Sequence, residues 1–301
     1  MTAKYLTTLL ITGLLTSTVA RAQHNNDATG LPGDNFSLEG ALELFKKAKS
    51  PEAFEKLLNT EDNKVNNLDL NGDGDIDYIR VINKMERSTQ VFILQAVVSE
   101  TENQDIAVIE LEKTGNDHAV VQIVGDEDIY GEETIVEPSD IGDQAINDMP
   151  LNRYGSMNGP AASVGIVVNV WAWPVVRYVY APSYVVWTSP WSWRARPVWW
   201  RPWKPMAWAV YRPYRYHYRP HYTVVHTHRV VAAPHIYRPV RVTSVTVRTR
   251  NQANITHYRS TRTVTTANGH QVKAIKRTTT VEGRNGRKAT HSTTHVKRKK
   301  R

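Results

Sequence analysis

The first regular pattern along the chain is an apolar stripe at helical spacing that begins after Ser37. Ser37 is a good N-cap, and the lysines at 46, 47 and 49 suit a helix C-terminus. Ser50, Pro51 and Glu52 then supply a second cap, a rigid first residue and an acid in the first turn. The apolar positions of the two segments are Leu38, Ala41, Leu42, Leu44, Phe45, Ala48, Phe54, Leu57 and Leu58. The pattern predicts two short amphipathic helices.

Four runs rich in β-branched and aromatic residues follow. They cover residues 78–84, 90–98, 105–112 and 118–124, with short polar joints between them. Such short connections favour antiparallel neighbours, because parallel strands need long crossovers. In the third run Glu110 and Glu112 alternate with apolar residues, which indicates that one face becomes solvated. The predicted fold class for residues 23–150 is therefore α+β, with two N-terminal helices packed on a four-stranded antiparallel meander.

The pattern changes after residue 150. Residues 151–163 are typical of a linker, and residues 164–240 form a low-complexity tract that holds all nine tryptophans and five Arg-Pro pairs. Because proline interrupts helices and sheet ladders, we expect this tract to be extended or disordered. Residues 241–301 alternate Thr, Val and Arg with Asn-Gly turn signals, which predicts a basic tail of β-hairpins.

The N-terminus is typical of a secretory signal peptide. Lys4 precedes an apolar run, and Ala20-Arg21-Ala22 forms a cleavage site, so residues 1–22 are expected to be removed. The absence of cysteine excludes disulfides and thiol chemistry, and export without disulfides suggests a bacterial envelope protein. Asn169, Pro174 and Arg177 interrupt the apolar stretch 161–181, so no transmembrane anchor is expected in the mature chain.

The net charge of +9 conceals a strong asymmetry. Residues 23–150 contain 28 acids against nine Lys and Arg, whereas residues 151–301 contain 27 Lys and Arg against one acid, Glu282. Halves of such opposite charge are expected either to attract one another, within or between copies, or to bind an outside partner. The partners considered are polyanions of the envelope or matrix, such as polysaccharide, lipopolysaccharide or extracellular DNA, which cations and aromatic rings together can bind.

The strongest candidate for a ligand site is the stretch from Asp69 to Arg80. Side-chain oxygens occur at relative positions 1, 3, 5 and 9, and position 7 can offer its backbone carbonyl, an arrangement that suits Ca²⁺. Gly74 stands where such a loop must turn sharply, and Ile76 is the apolar residue that ties it to a core. The candidate ligands are Asp69, Asn71, Asp73, Asp75 and Asp77.

This stretch resembles the D-x-[DN]-x-D-G loops of EF-hands, dockerin modules and integrin-type propeller repeats, a resemblance that implies calcium as the cofactor. Position 12 is Arg80 in place of the EF-hand's bidentate Glu, and the residues around it favour a strand. Water or the acids at 126–128 are candidates for the missing ligand. The alternative is an Asp/Gly-rich turn that binds nothing.

Motifs for phosphate, dinucleotide or catalytic zinc binding, or for a serine nucleophile, are absent from the sequence. His226 and His228 would share one face of a strand and could contribute to a metal site, but solvated histidines are the simpler interpretation. The leading hypothesis is a non-enzymatic exported protein with one calcium loop and a basic aromatic tail that adheres to polyanions. The alternatives are a self-assembling structural protein held by its opposite charges, and a carboxylate-dependent hydrolase.

Overall fold

The computed structural model describes residues 28–139 and 167–261, together with the strand segments 263–265, 271–282 and 288–298. The predicted signal peptide at 1–22 and the predicted linker at 151–163 lie outside these residues.

Two helices open the fold, α1 (Leu38–Lys47) and α2 (Pro51–Leu58). The Ser37 hydroxyl accepts a hydrogen bond from the Gly40 amide (3.0 Å), and the Ser50 hydroxyl accepts one from the Ala53 amide (3.1 Å). Both serines therefore act as N-caps. The helices meet through Phe45 and Phe54, whose ring centroids lie 5.2 Å apart, and Phe45 also contacts Phe92 of the sheet at 5.0 Å.

The main sheet is antiparallel and has six strands in sequential order. They are β1 (Ile79–Glu86), β2 (Thr89–Val97), β3 (Asn103–Gly115), β4 (His118–Gly125), β5 (Thr134–Pro138) and β6 (Tyr222–Val225). A two-residue turn joins β1 to β2 and places Arg87 in the left-handed region (φ 53°). The register shifts at Leu94/Gln95 between β2 and β3, and at Lys113/Gly115 between β3 and β4.

The predicted four-stranded meander is therefore wrong. β5 lies in an acidic stretch of the sequence, yet Ile135 and Val136 are buried. Glu137 is buried as well, and its carboxylate lies 2.5 Å from Arg229 Nε. An arginine about ninety positions away in sequence thus supplies the charge that allows this strand to join the sheet.

The prediction of an extended or disordered aromatic tract is also wrong. Three of the seven α-helices in the described residues lie in this tract, α4 (Pro174–Val179), α5 (Trp208–Arg215) and α6 (Ala233–Tyr237). A short α3 (Glu127–Tyr130) precedes them, and α7 (Val245–Thr261) follows the tract. Pro174 and Pro234 lie in the first turns of α4 and α6, where a helix does not need the amide hydrogen that proline lacks.

Both faces of the sheet are covered, and all nine residues of β2 are buried. On one face lie α1, α2 and the valines of α4; on the other, Val91, Ile93, Val108 and Val120 pack against Val230, Ala233 and Tyr237. The expectation of a face that becomes solvated along the third strand fails for this reason, and Glu110 is completely buried. The C-terminal half thus completes the core of the acidic half.

The basic tail differs from the predicted series of hairpins, because α7 occupies its beginning. The strands β7 (Thr263–Thr265), β8 (Gln271–Glu282) and β9 (Lys288–Arg298) then form a separate three-stranded antiparallel sheet. β8 and β9 pair from Val272↔Arg298 to Glu282↔Lys288.

Candidate functional site

The Asp-rich loop lies directly before β1 and is tied to the fold at its C-terminal end. Ile76 is buried, and its amide donates to the carbonyl oxygen of Trp203 (2.9 Å). The Asp77 amide donates to the carbonyl oxygen of Leu68 (2.8 Å). The loop leads into a strand, as the sequence predicted, and Arg80 points its guanidinium at Gln95 Oε1 (2.9 Å from Nε).

Inside the loop, side-chain oxygens fold back onto backbone amides. The Asp69 carboxylate accepts from Gly72 (2.6 Å) and Gly74 (3.0 Å). Asn71 Oδ1 accepts from the Asp73 amide, and Asp73 Oδ1 accepts from the Asp75 amide, each at 2.9 Å. Gly72 (φ 74°) and Gly74 (φ 83°) adopt the left-handed conformation that this tight path requires.

Asp77 stands apart from the other acids of the loop because it is buried. Its Oδ2 accepts a hydrogen bond from the Leu70 amide (2.6 Å). Burial raises the pKa of Asp77 to about 8, the negative charges of Asp69 and Asp73 add to this effect, and the Leu70 hydrogen bond and Arg196 oppose it. A negative charge at Asp77 is therefore costly until a cation compensates it.

The C-terminal half supplies cations to the rim of this loop. Lys204 Nζ lies 2.8 Å from Asp75 Oδ1, and the Arg250 guanidinium donates to the carbonyl oxygen of Asn71. Beside the loop a cleft of about 290 Å³ is lined by Asp34, Asp69, Trp208, Arg250 and Asn251, among others. The acidic loop thus sits at the junction of the two halves.

Within the described residues, His, Asp and Glu side chains do not converge in groups of three or more that could hold a metal ion. The loop carboxylates are directed at their own backbone amides, and Asp75 is directed at Lys204. A carboxylate oxygen has two lone pairs, so an oxygen that accepts from an amide keeps one for a cation. The donor chemistry of Asp69, Asn71, Asp73 and Asp77 suits Ca²⁺, and a bound ion requires these side chains to close together.

The acids considered as a supplementary ligand lie elsewhere, around Arg241. Its Nε is 2.6 Å from Asp126 Oδ2, its Nη2 is 3.1 Å from Asp128 Oδ2, and its Nη1 is 3.6 Å from Glu127 Oε1. The two candidate histidines follow the end of β6 at Val225 and differ in exposure. His226 is exposed, whereas His228 is half-buried, with Nδ1 3.4 Å from Glu110 Oε2 and Nε2 3.6 Å from Glu133 Oε2.

Ion pairs between the acidic and the basic half recur across the described residues. The most buried one joins Arg215 of α5 to Glu39 of α1, with Nη1 2.7 Å from Oε2. The others include Arg194–Glu100, Arg229–Glu137, Arg238–Glu133, Arg248–Asp128 and Arg259–Glu127. The charge asymmetry of the sequence is thus partly neutralised within one chain.

The site that sequence reasoning missed is a buried polar cluster beneath β3 and β4. Gln122 Nε2 donates to Glu110 Oε2 (2.5 Å), and Gln122 Oε1 accepts from the Arg229 amide (2.8 Å). Burial raises the pKa of Glu110 to about 7, and His228 opposes part of that rise. The sequence signal was a glutamate, Glu110, that alternates with apolar residues along a strand. Whether such a glutamate is buried depends on a segment more than a hundred residues away.

A second missed feature is a buried carboxylate that joins three segments. Glu55 of α2 accepts hydrogen bonds from the Tyr78 hydroxyl (2.7 Å), the Ser189 hydroxyl (2.9 Å) and the Val81 amide (2.7 Å). Burial raises the pKa of Glu55, and these hydrogen bonds oppose the rise. Each donor matches an acceptor lone pair, so this group fastens the aromatic segment to the N-terminal half.

Comparison with protein-family models, with curated proteins and with solved structures gives no match to this chain. In the described part of the chain, no helix has both the length and the apolar character needed to cross a bilayer.

Proposed function

We propose that this chain is a non-enzymatic exported protein that binds one Ca²⁺ at the loop 69–77 and adheres to polyanions through its basic C-terminal half. Asp69, Asn71, Asp73 and Asp77 would hold the ion with side-chain oxygens, and Asp75 with its carbonyl. The observation that carries the calcium site is the inward folding of three loop side chains around two left-handed glycines, next to a buried aspartate.

Calcium in this position would strengthen the junction between the two halves. The loop contacts Trp203, Lys204 and Arg250 of the C-terminal half. A cation that neutralises Asp77 removes the cost of its buried charge, and ligands that bind the folded state alone raise its stability. Calcium therefore acts on the whole fold through this loop.

The test is calorimetric titration of Ca²⁺ into the mature chain, residues 23–301, together with thermal unfolding. The double variant Asp69→Asn plus Asp73→Asn removes two charges and leaves one acceptor oxygen at each position, so one of the two amides that Asp69 binds loses its acceptor. The matched control, Asp62→Asn plus Asp117→Asn, removes two exposed charges outside the loop. We expect one saturable site and a rise in Tm in wild type and control, and loss of both in the loop variant. A weak heat that does not saturate and is equal in all three proteins would show that the loop is a turn that binds no calcium.

The polyanion partner rests on the positive charge of the C-terminal sequence. Residues 262–301 alone contain twelve Lys and Arg against one acid. Opposite charges attract over about a Debye length, so this segment can recruit an anionic polymer or surface without sequence specificity. Loss of adhesion at high salt, with unchanged calcium binding, is the expected signature.

The ion pairs between the halves favour a second candidate, a structural protein held together by its opposite charges without a metal. Arg215–Glu39 and Arg241–Asp126 are largely shielded from solvent and join segments far apart in sequence. For such a protein, the unfolding temperature falls with added salt and does not change when calcium is chelated. Unfolding temperatures measured with and without chelator at two salt concentrations separate the two candidates.

A further inference from the structure

Two tight turns of the aromatic tract present large apolar side chains to solvent. Ser192 and Ala195 exchange backbone hydrogen bonds (2.9 and 3.2 Å), which leaves Trp193 and Arg194 at the tip. A second turn is closed by the Trp200 amide on the Pro197 carbonyl (3.0 Å), with Val198 and Trp199 at its centre. We define these as the tip turns, residues 192–195 and 197–200.

The exposure of the tip turns is unusual. Val198 is 90% exposed, Trp199 41% and Trp193 37%. Turn centres are commonly Gly, Asn, Asp or Ser, for reasons of backbone conformation. Val198 makes almost no contact with the fold, and Trp193 and Trp199 keep more than a third of their surface exposed although Trp199 also contacts Tyr78 (6.4 Å). An apolar or interfacial partner outside the chain explains this exposure.

The tip turns are held rigidly by the residues between and behind them. Trp200 packs edge-on against the buried Tyr78 ring (5.2 Å), and the Arg196 guanidinium lies 5.3 Å from the Trp193 ring and 5.1 Å from the Trp200 ring. Arg201 Nη1 donates to the carbonyl oxygens of Val198 (3.2 Å) and Trp200 (2.7 Å). The apolar tips are therefore presented on a fixed support.

Cations surround the tips. Lys56 Nζ lies over the Trp199 ring at 5.4 Å, and the side chains of Arg194 and Lys204 are 76% and 77% exposed. Arg196 and Arg201 add two more positive charges, against Glu100 paired to Arg194 and Asp75 paired to Lys204. Lys56, Arg196 and Arg201 thus leave positive charge beside the apolar tips, whereas Lys204 faces the acidic loop at Asp69, Asp73 and Asp75.

We infer that the tip turns dock on an anionic lipid surface. Trp rings are favoured at the boundary between headgroups and hydrocarbon, and exposed Arg and Lys are attracted to anionic headgroups. The fully exposed Val198 favours lipid over a polysaccharide, because an aliphatic side chain offers a sugar neither a stacking plane nor a hydrogen bond. This inference rests on the proposed function, since it names the polyanion as lipid.

The experiment is co-sedimentation of the mature chain with vesicles of phosphatidylglycerol and phosphatidylcholine, and with phosphatidylcholine alone. The test variant is Val198→Ser plus Trp199→Ser; the control is Val231→Ser, a 70% exposed valine before α6. We expect wild type and control to pellet with anionic vesicles, and the tip variant to lose at least about tenfold in partition coefficient. Quenching of tryptophan fluorescence by brominated lipid should fall with it. Far-UV circular dichroism verifies that the variant is folded.

The charge component is tested by Lys56→Gln plus Arg194→Gln, which should weaken binding to anionic vesicles while leaving the weak binding to phosphatidylcholine unchanged. If the tip variant pellets like wild type, the basic tail holds the membrane and the inference fails. It fails equally if the wild type ignores vesicles and is retained by an anionic polysaccharide gel. Calcium titration of the same samples tests the loop site independently, because a protein that does not bind vesicles can still bind calcium.

Discussion

Glu110 shows what a single buried carboxyl group can do to the pH dependence of the fold. Its pKa lies at about 7, against an ordinary value of 4.5, because burial disfavours the charged form. The folded state therefore holds this proton more tightly than the unfolded state. Its contribution to stability is complete below about pH 4.5 and is lost as the pH rises through 7.

We expect Glu110→Gln to remove this contribution to the pH dependence. The rise in pKa corresponds to a loss of about 3 kcal/mol in the free energy of unfolding for wild type between pH 4.5 and pH 8. Urea unfolding at both pH values measures it, and Glu112→Gln on the same strand is the control. The free energy of unfolding of Glu110→Gln should change less between the two pH values than that of wild type or of the control. An equal change in all three proteins would contradict the assignment.

At the scale of elements, the sequence predicted the positions of individual helices better than it predicted how strands pair and pack. α1 and α2 lie where apolar spacing and the caps Ser37 and Ser50 place them, because those signals are local. The architecture was predicted wrongly, because β5 depends on two partners that are remote in sequence. Glu137 pairs with Arg229, and the strand pairs with β6, and neither partner can be inferred from the residues of β5. The loop's residues were identified from spacing alone; its contacts with Trp203 and Arg250 were beyond any local pattern.

The ion pair Arg215–Glu39 joins α5 to α1, and replacing the arginine alone should lower the free energy of unfolding. Arg215→Met leaves a buried carboxylate without its partner, and we expect a loss of about 3–5 kcal/mol in the free energy of unfolding. Arg215→Met combined with Glu39→Gln should recover much of that loss. A double-mutant cycle by urea unfolding measures the coupling. Strict additivity of the two single costs would show that the helices are held by other contacts.

At the scale of the whole molecule, the acidic and basic halves share one core. The segment 228–241 covers one face of the sheet, α4 adds to the other side, and β6 pairs with β5. A fragment that ends at residue 150 would expose β2, β3 and much of the polar cluster around Glu110.

We therefore expect the fragment 23–150 to lack a cooperative unfolding transition and to bind the dye ANS, whereas the chain 23–261 behaves as a folded protein. Thermal unfolding followed by circular dichroism, with ANS fluorescence, distinguishes the two. A sharp transition in the short fragment would show that the acidic half folds alone and that the C-terminal half only decorates it.

The pairing of β5 with β6 also sets an order of events. Thr134 to Pro138 must wait for Tyr222 to Val225, more than eighty residues later, before the sheet is complete. Closing so long a loop is slow, and a chain that emerges N-terminus first spends that interval with its apolar strands uncovered. Such a chain keeps its sheet incomplete while it is being synthesised, and its uncovered strands are open to aggregation until residues 222–225 have emerged.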